Sequence, residues 1–354
     1  MIPVFLISNK PFTGRNFLTL GLALNLKDKG FKIGYVKTIG KLPLKKEDKI
    51  IDEEALFIKY LLELKEPADI VSPFVFSYEA QYKLFKGEPL DAEQKIINAI
   101  SCQKDKDIVF VITGDTIFEG YSLGINAIHL IEKLNGKGLI VQTWNGETSI
   151  DDILGIKDLL GEKFLGAVIN KVPSEYYIFV KETIIPYLKD KGIKIFGIFK
   201  REKLLEAVTI RTLLEIVNGK IICEEEKLDE LVENYLVGAM DPESAFRYFL
   251  RVPNKAVITG VSRTDIQILA LETSTKCLIL TGGLLPSETV INRAKTQGVP
   301  IIATTLDTFT VVDKIEKLMG KAMIKEKAKA LKSKEIVAKE FDLDGFLNFL
   351  FIDK

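Results

Sequence analysis

Apolar positions in this chain come in two alternating modes. Short runs of β-branched and other apolar residues are followed by stretches with an apolar residue every three or four positions. Ile2–Ile7 is the first such run. Phe17, Leu18, Leu20, Leu22, Ala23, Leu24 and Leu26 then give a thick apolar face at helical spacing. The same alternation predicts strands at 31–37, 107–112, 138–142, 165–170 and 194–198. Between them it predicts helices at 51–64, 78–86, 91–103, 125–134, 150–160 and 175–191, with 40–49 a polar loop. The run at 107–112, DIVFVI, is nearly continuous, as in a strand covered on both faces. Strands alternating with helices imply a parallel sheet wrapped by helices, an α/β fold.

Residues 219–234 turn acidic and polar, and the expected domain boundary lies there. A second α/β series follows, with helices at 242–250, 264–272, 287–297 and 307–318 and strands at 255–259, 277–280 and 300–303. The expected division is a first domain over 1–222, a smaller second domain over 235–320, and a tail over 321–354. That tail is lysine-rich at first and amphipathic from 341 to 351. Two domains agree with a length of 354 residues.

Composition narrows the function classes. Lys and Arg number 49, as do Asp and Glu, so the formal net charge is zero. No global basic field favours nucleic acid as a partner. The three cysteines (Cys102, Cys223, Cys277) are widely spaced, which argues against a disulfide scaffold or a zinc site. A single histidine, His129, excludes a multi-histidine metal site and reads as a structural residue of its helix. No apolar run reaches the roughly 18 residues of a membrane span, so the expected location is cytoplasmic, without a membrane partner.

The chemistry begins at the first strand–loop–helix turn, SNKPFTGRN. A short glycine-containing loop between a buried strand and a helix is the frame of a phosphate-binding loop. The usual pattern is G-x-x-x-x-G-K-[ST]. With Gly14 as the second glycine, Asn9 stands at the first, Arg15 replaces the lysine and Asn16 replaces the Ser/Thr. Arg15 can hold phosphate and is always charged. Asn16 offers an amide where a hydroxyl normally helps bind Mg²⁺, which argues against firm Mg²⁺ binding. Lys10, four residues before Gly14, is placed like the second lysine of partition-type ATPase loops, and Thr13 completes the candidate cradle.

Two groups of segments carry a family resemblance. The N-terminal loop, with GYVKTIG, IDEEALFIKYLLEL, VINKVP and GIKIFGIFKREKLLEAVT, resembles the dethiobiotin-synthetase-like P-loop domain at the front of long bacterial phosphotransacetylases. VGAM, TGVSRTDIQILALE, LILTGGLLPS and GVPIIATTLDTFT resemble the DRTGG domain that follows it there. The resemblance does not extend to an acetyltransferase domain, so acetyl-phosphate chemistry does not follow from it. It implies that Lys37 lies near phosphate and substrate carboxylate, that Asp52 is a candidate Mg²⁺ ligand, and that Asn170 reads a purine edge. In the second domain it points to Arg263 and Thr264, to Gly282 and Gly283 with Thr281 before them, and to Asp307 after the next strand. These would line a small-molecule effector site, an adenine nucleotide being the leading candidate.

The departures from the pattern matter as much. The family's Glu-Gly at the end of its third strand is Thr113-Gly114 here, with Asp115 and Glu119 displaced along the loop. Lys200 stands where the family has a proline, and Ser262 replaces the acid before Arg-Thr. Losing one well-placed electrostatic group commonly costs about 10²–10³ in rate. The expected function is therefore a nucleotide-binding regulatory protein with little ATPase activity, and the resemblance implies a homo-oligomer. Two alternatives stay open: an ATP-dependent carboxylate-activating ligase, and a structural interaction protein with vestigial sites. Whether the chain is an enzyme is not decided by its sequence.

Overall fold

The computed structural model describes residues 1–46, 49–319, 324 and 326–351. By compactness they form two units, Met1–Arg201 with Ile324–Lys354, and Glu202–Met323.

The first unit opens with β1 (Ile2–Ile7), α1 (Arg15–Asp28) and β2 (Ile33–Lys37). The stretch expected as a loop at 40–49 instead contributes a hairpin, β3 (Pro43–Lys46) and β4 (Lys49–Asp52), while residues 47–48 lie outside the described residues. Four-residue strands are too short for the alternation that reveals longer ones. Helices α2 (Glu53–Leu61), α3 (Ala68–Val71), α4 (Tyr78–Phe85) and α5 (Ala92–Ser101) lead to β5 (Ile108–Ile112). Then come α6 (Ala127–Lys133), β6 (Lys137–Thr143), α7 (Thr148–Leu160) and β7 (Phe164–Val172). Next, α8 (Tyr177–Phe179) passes through a π-turn into α9 (Ile185–Asp190), followed by β8 (Ile195–Lys200).

The sheet order is β2-β5-β1-β6-β7-β8, and every pairing is parallel. All five residues of β5 and of β2 are buried, as strands covered by helices on both faces must be. After β1 the chain turns towards β2, and after β5 it turns the other way to β6. This reversal opens a crevice at the carboxyl ends of β1 and β5, where open α/β sheets bind ligands.

The second unit contains α10 (Lys203–Glu206), β9 (Val208–Thr209), α11 (Ile210–Ile216), β10 (Lys220–Cys223), β11 (Leu231–Val232) and β12 (Asn234–Val237). It continues with α12 (Pro242–Arg251), β13 (Lys255–Gly260), α13 (Thr264–Leu271), β14 (Thr275–Thr281), α14 (Glu288–Gln297), β15 (Ile301–Ala303) and α15 (Thr308–Met319). Its sheet runs β10-β15-β14-β13-β12, parallel except for the β10–β15 pair. The polar stretch 219–234 supplies β10, β11 and the start of β12, and Ile210, Leu213 and Val217 join this unit's core.

The chain then returns to the first unit through α16 (Lys327–Glu340) and α17 (Leu343–Phe351). Residue 320 of the expected second domain and residues 321–323, 325 and 352–354 of the expected tail lie outside the described residues. Helix α16 lies against α1 so closely that a Cβ on Gly21 would sit 2.3 Å from Val337 Cγ2 and 2.8 Å from the Ser333 carbonyl. Asn25 Nδ2 donates to the Lys334 carbonyl at 2.9 Å. Phe341, Phe346 and Phe349 pack their rings around Phe196, and Asp342 N donates to the Phe196 carbonyl at 2.7 Å. The segment thereby covers the outer strand β8, which would otherwise present an unpaired edge.

Gly21→Ala should therefore destabilise the first unit by about 1–2 kcal/mol, overpacking outweighing the better helix propensity of alanine. Urea unfolding followed by the fluorescence of Trp144, the only tryptophan, reads this directly. Adding Val337→Ala should return part of the loss, giving a non-zero coupling in the double-mutant cycle. An unchanged midpoint in Gly21→Ala would contradict the close α1–α16 packing.

Candidate functional site

Residues 8–14 link β1 to α1 at the crevice. Gly14 begins the helix with φ +96°, and a Cβ there would meet Asn170 Nδ2 at 2.1 Å. Both the backbone angle and the space require glycine. Asn170, near the end of β7, is buried and donates from Nδ2 to the Thr13 carbonyl at 2.8 Å. The amide expected to read a purine edge thus braces the loop. Helix α1 starts without a side-chain cap, so its first backbone amides are presented to the crevice.

Arg15 does not point out of the loop. Its guanidinium is buried and donates from Nη1 to the carbonyls of Thr113 (3.0 Å) and Gly114, and from Nη2 to Asp115 Oδ1 (3.2 Å). Burial pulls its pKa down, while Asp115, Glu54 and Glu119 act in the opposite direction. An arginine stays charged under such shifts. The residue in the lysine position of the P-loop therefore ties α1 to the end of β5.

The other cations around the loop are paired as well. Lys10 lies 3.3 Å from Asp152 Oδ2, and Asn9 Nδ2 donates to Asp152 Oδ1 at 2.8 Å. Gln142 Nε2 also donates to Asp152, at 3.0 Å. Lys37 donates to Asp52 Oδ1 (2.9 Å) and to Glu54 Oε2 (2.7 Å). Lys41 donates to Asp115 Oδ2 (2.6 Å) and to Glu119 Oε2 (2.9 Å). Asp152, Glu54 and Lys41 were not legible as site residues, since each reaches the loop from a separate element with no local motif.

Asp52 does not sit as a metal ligand would. It is fully buried and caps α2. Oδ1 accepts from Lys37 and from Ala55 N, and Oδ2 accepts from the amides of Lys41 (2.8 Å) and Leu42 (3.0 Å). Desolvation pushes its carboxyl up, but Lys37 and the Leu42 and Ala55 amides outweigh it and hold it below the ordinary value. Desolvation likewise opposes the charge on Lys37, and Glu54 and Asp52 raise it nonetheless. Each Asp52 oxygen thus accepts two hydrogen bonds from the chain itself. The carboxylates Asp52, Glu54, Asp115, Glu119 and Asp152 all hold the chain's own cations. Thr13 Oγ1, Asn16 Oδ1, Thr38 Oγ1 and Thr113 Oγ1 are buried without a hydrogen-bond partner.

In the second unit, the loops after β12, β13, β14 and β15 share the sheet's carboxyl edge. Arg263 opens α13 and forks onto Asp265, with Nη2 also donating to the Met240 carbonyl at 3.0 Å. Thr264 beside it is exposed. Thr281 Oγ1 and Thr308 Oγ1 are 2.8 Å apart. Gly282 and Gly283 have φ of +99° and +77° and donate to the carbonyls of Leu306 and Thr304. Asp307 caps α15, accepting from Thr310 N at 3.0 Å. Leu284, Leu285 and Phe309 stand exposed along the same edge.

Comparison with known proteins places both parts in families. Residues 3–218 match an AAA domain family, of the P-loop, dethiobiotin-synthetase-like kind, and residues 212–318 match the DRTGG domain family. The Bacillus subtilis (strain 168) protein YtoI is 25% identical over 127 residues, 36% of this chain and 28% of YtoI. The chain thus spans under a third of that relative's length. Among solved structures, the CBS and DRTGG domains of the Clostridium perfringens pyrophosphatase regulatory region, complexed with diadenosine tetraphosphate, align at TM-score 0.29. Identity is 23%, over 44% of this chain and 73% of that one. The MinD cell division protein of Aquifex aeolicus aligns at TM-score 0.35 and 14% identity, over 58% of this chain and 84% of that one.

Asp52→Asn removes one partner of a buried ion pair and should cost about 3–5 kcal/mol. The wild-type pair also predicts a pH signature. Because the folded carboxyl titrates below its unfolded value of 3.8, its contribution is complete above that pH. It declines as pH falls through the lowered folded value. Urea midpoints from pH 7 down to acid should show this loss in the wild type and a shallower one in Asp52→Asn. Parallel curves would remove Asp52 from its assigned role.

Proposed function

From the premise that this chain belongs to the AAA domain family and carries a DRTGG domain behind its P-loop domain, we propose that it is a nucleotide-binding regulatory protein with little ATP turnover. The inward Arg15 carries this reading. Phosphoryl transfer needs positive charge and Mg²⁺ poised on the transferring group. Here the P-loop cation is hydrogen-bonded to the Thr113 and Gly114 carbonyls, and Asn16 presents an amide in place of the hydroxyl. The α1 amides and the unpartnered Thr13 and Thr113 hydroxyls support binding of phosphate oxygens without fast chemistry.

The carboxyl edge of the second unit is the proposed effector site. Arg263 would meet phosphate, and Leu284, Leu285 and Phe309 offer apolar contact to an adenine ring. The complex with diadenosine tetraphosphate reported for the pyrophosphatase regulatory region suggests the ligand class to test first. Among the described residues no helix is long and apolar enough to cross a membrane. The proposed setting is the cytoplasm, and the proposed acting form is a homo-oligomer.

Thermal-shift measurements with ATP, ADP, AMP and diadenosine tetraphosphate, each with and without Mg²⁺, test the proposal. At a hundredfold excess over Kd a bound nucleotide stabilises by about 2.7 kcal/mol. The expected result is stabilisation by an adenine nucleotide with little dependence on Mg²⁺, weakened by Arg263→Ala. Rapid Mg²⁺-dependent ATP hydrolysis by the purified chain would overturn it.

Asp152→Asn supplies a separate check on the paired loop cations. Freeing Lys10 should tighten tripolyphosphate binding by about tenfold, the equivalent of roughly 1.4 kcal/mol. Weaker binding in calorimetry would mean that Asp152 supports the ligand-binding form of the loop.

A further inference from the structure

Helix α4 has its apolar side outward. Of its eight residues only Ala80 is buried. Tyr78, Tyr82 and Phe85 are exposed by 83%, 51% and 83%. Their spacing of four and then three residues puts them on one face. A surface helix ordinarily turns its large apolar residues to the core and its charges to water. Here the inner side takes only Ala80 and the half-buried Leu84, and the solvent takes three aromatic rings. Ser77 caps the helix through Ala80 N, so the element is anchored at its start.

We propose that this face is the contact between two copies of the chain, packed antiparallel about a two-fold axis close to Tyr82. Charge and symmetry point to a second copy. The helix carries an acid near its start, Glu79, and bases at Lys83 and, just past its end, Lys86, all on one flank of the aromatic stripe. An isologous contact must be complementary to itself. A two-fold axis at Tyr82 lays Tyr78 over the partner's Phe85 and sets Glu79 beside the partner's Lys86. It also brings the two Tyr82 rings together at the centre. In the free chain Lys86 Nζ lies 4.5 Å from the centre of the Tyr82 ring, and Glu79 is bonded to Lys83. Both charged groups thus already lie along the stripe.

The area sets the strength. Three aromatic residues bury on the order of 150–250 Å² each when covered fully. The stripe therefore gives a total near 1,000 Å² from both copies, below the roughly 1,200–2,000 Å² of stable complexes. The dimer is weak and dependent on concentration, dissociating in the micromolar range.

Sedimentation velocity of the full chain from about 1 to 200 µM brackets that range. The expected wild-type result is a monomer at the low end and a dimer at the high end. Tyr78→Glu with Phe85→Glu should stay monomeric throughout while melting like the wild type, since both positions are exposed. The second readout is geometric. Cys102 is the exposed native cysteine, so Tyr82→Cys is placed in a Cys102→Ser background. A short bis-maleimide should then link two copies through position 82. A wild type that remains monomeric, a double variant that dimerises as the wild type does, or absent cross-linking beside a wild-type dimer would each overturn the proposal. A monomeric wild type that sediments with anionic vesicles would assign the stripe to a lipid surface instead.

Discussion

A guanidinium removed from water must be met by acceptors wherever the fold can supply them. Arg15 finds them in the Thr113 and Gly114 carbonyls and in Asp115, at the end of β5. This one engagement sets the character of the crevice. It couples the helix that starts at the P-loop to the strand whose loop carries Asp115 and Glu119, and it keeps the main cation of the loop from the mouth. The remaining lysines follow the same rule: Lys10 is matched by Asp152, Lys37 by Asp52 and Glu54, and Lys41 by Asp115 and Glu119. A crevice whose charges are already matched within the chain differs from one that keeps free positive charge for a triphosphate.

The loop is also held from its other side. Asn170 donates to the Thr13 carbonyl and stands where any Cβ on Gly14 would have to go. Helix α1 is fixed along its length by α16, which fits against Gly21 and accepts from Asn25. The second unit thus lies in sequence between β8 and the helices that complete the first unit's packing.

The carboxyl edge of the second unit is also bound up within the chain. Its glycines are committed to the turn through the Leu306 and Thr304 carbonyls, and Asp307 is committed to capping α15. Arg263 is held by Asp265 and the Met240 carbonyl, beside a rim of exposed apolar side chains.

Periodicity and motif alone determined the α/β class, the main strands and helices of both α/β series and the P-loop frame. Each of these rests on residues near one another in the chain, where a period of two or 3.6 and a glycine before a helix are direct physical signals. The substitutions at Arg15 and Asn16 were equally plain, because a motif fixes its own positions. The direction in which Arg15 points, the bracing by Asn170 and the saturation of Asp52 were decided by tertiary structure. So were the partners Glu54, Lys41 and Asp152, and the return of the C-terminal helices to α1 and β8. Nearly all depend on groups brought together across the fold, from 10 to over 300 residues apart in the chain. A buried charge takes whichever partner the packing delivers, and no local pattern records that choice.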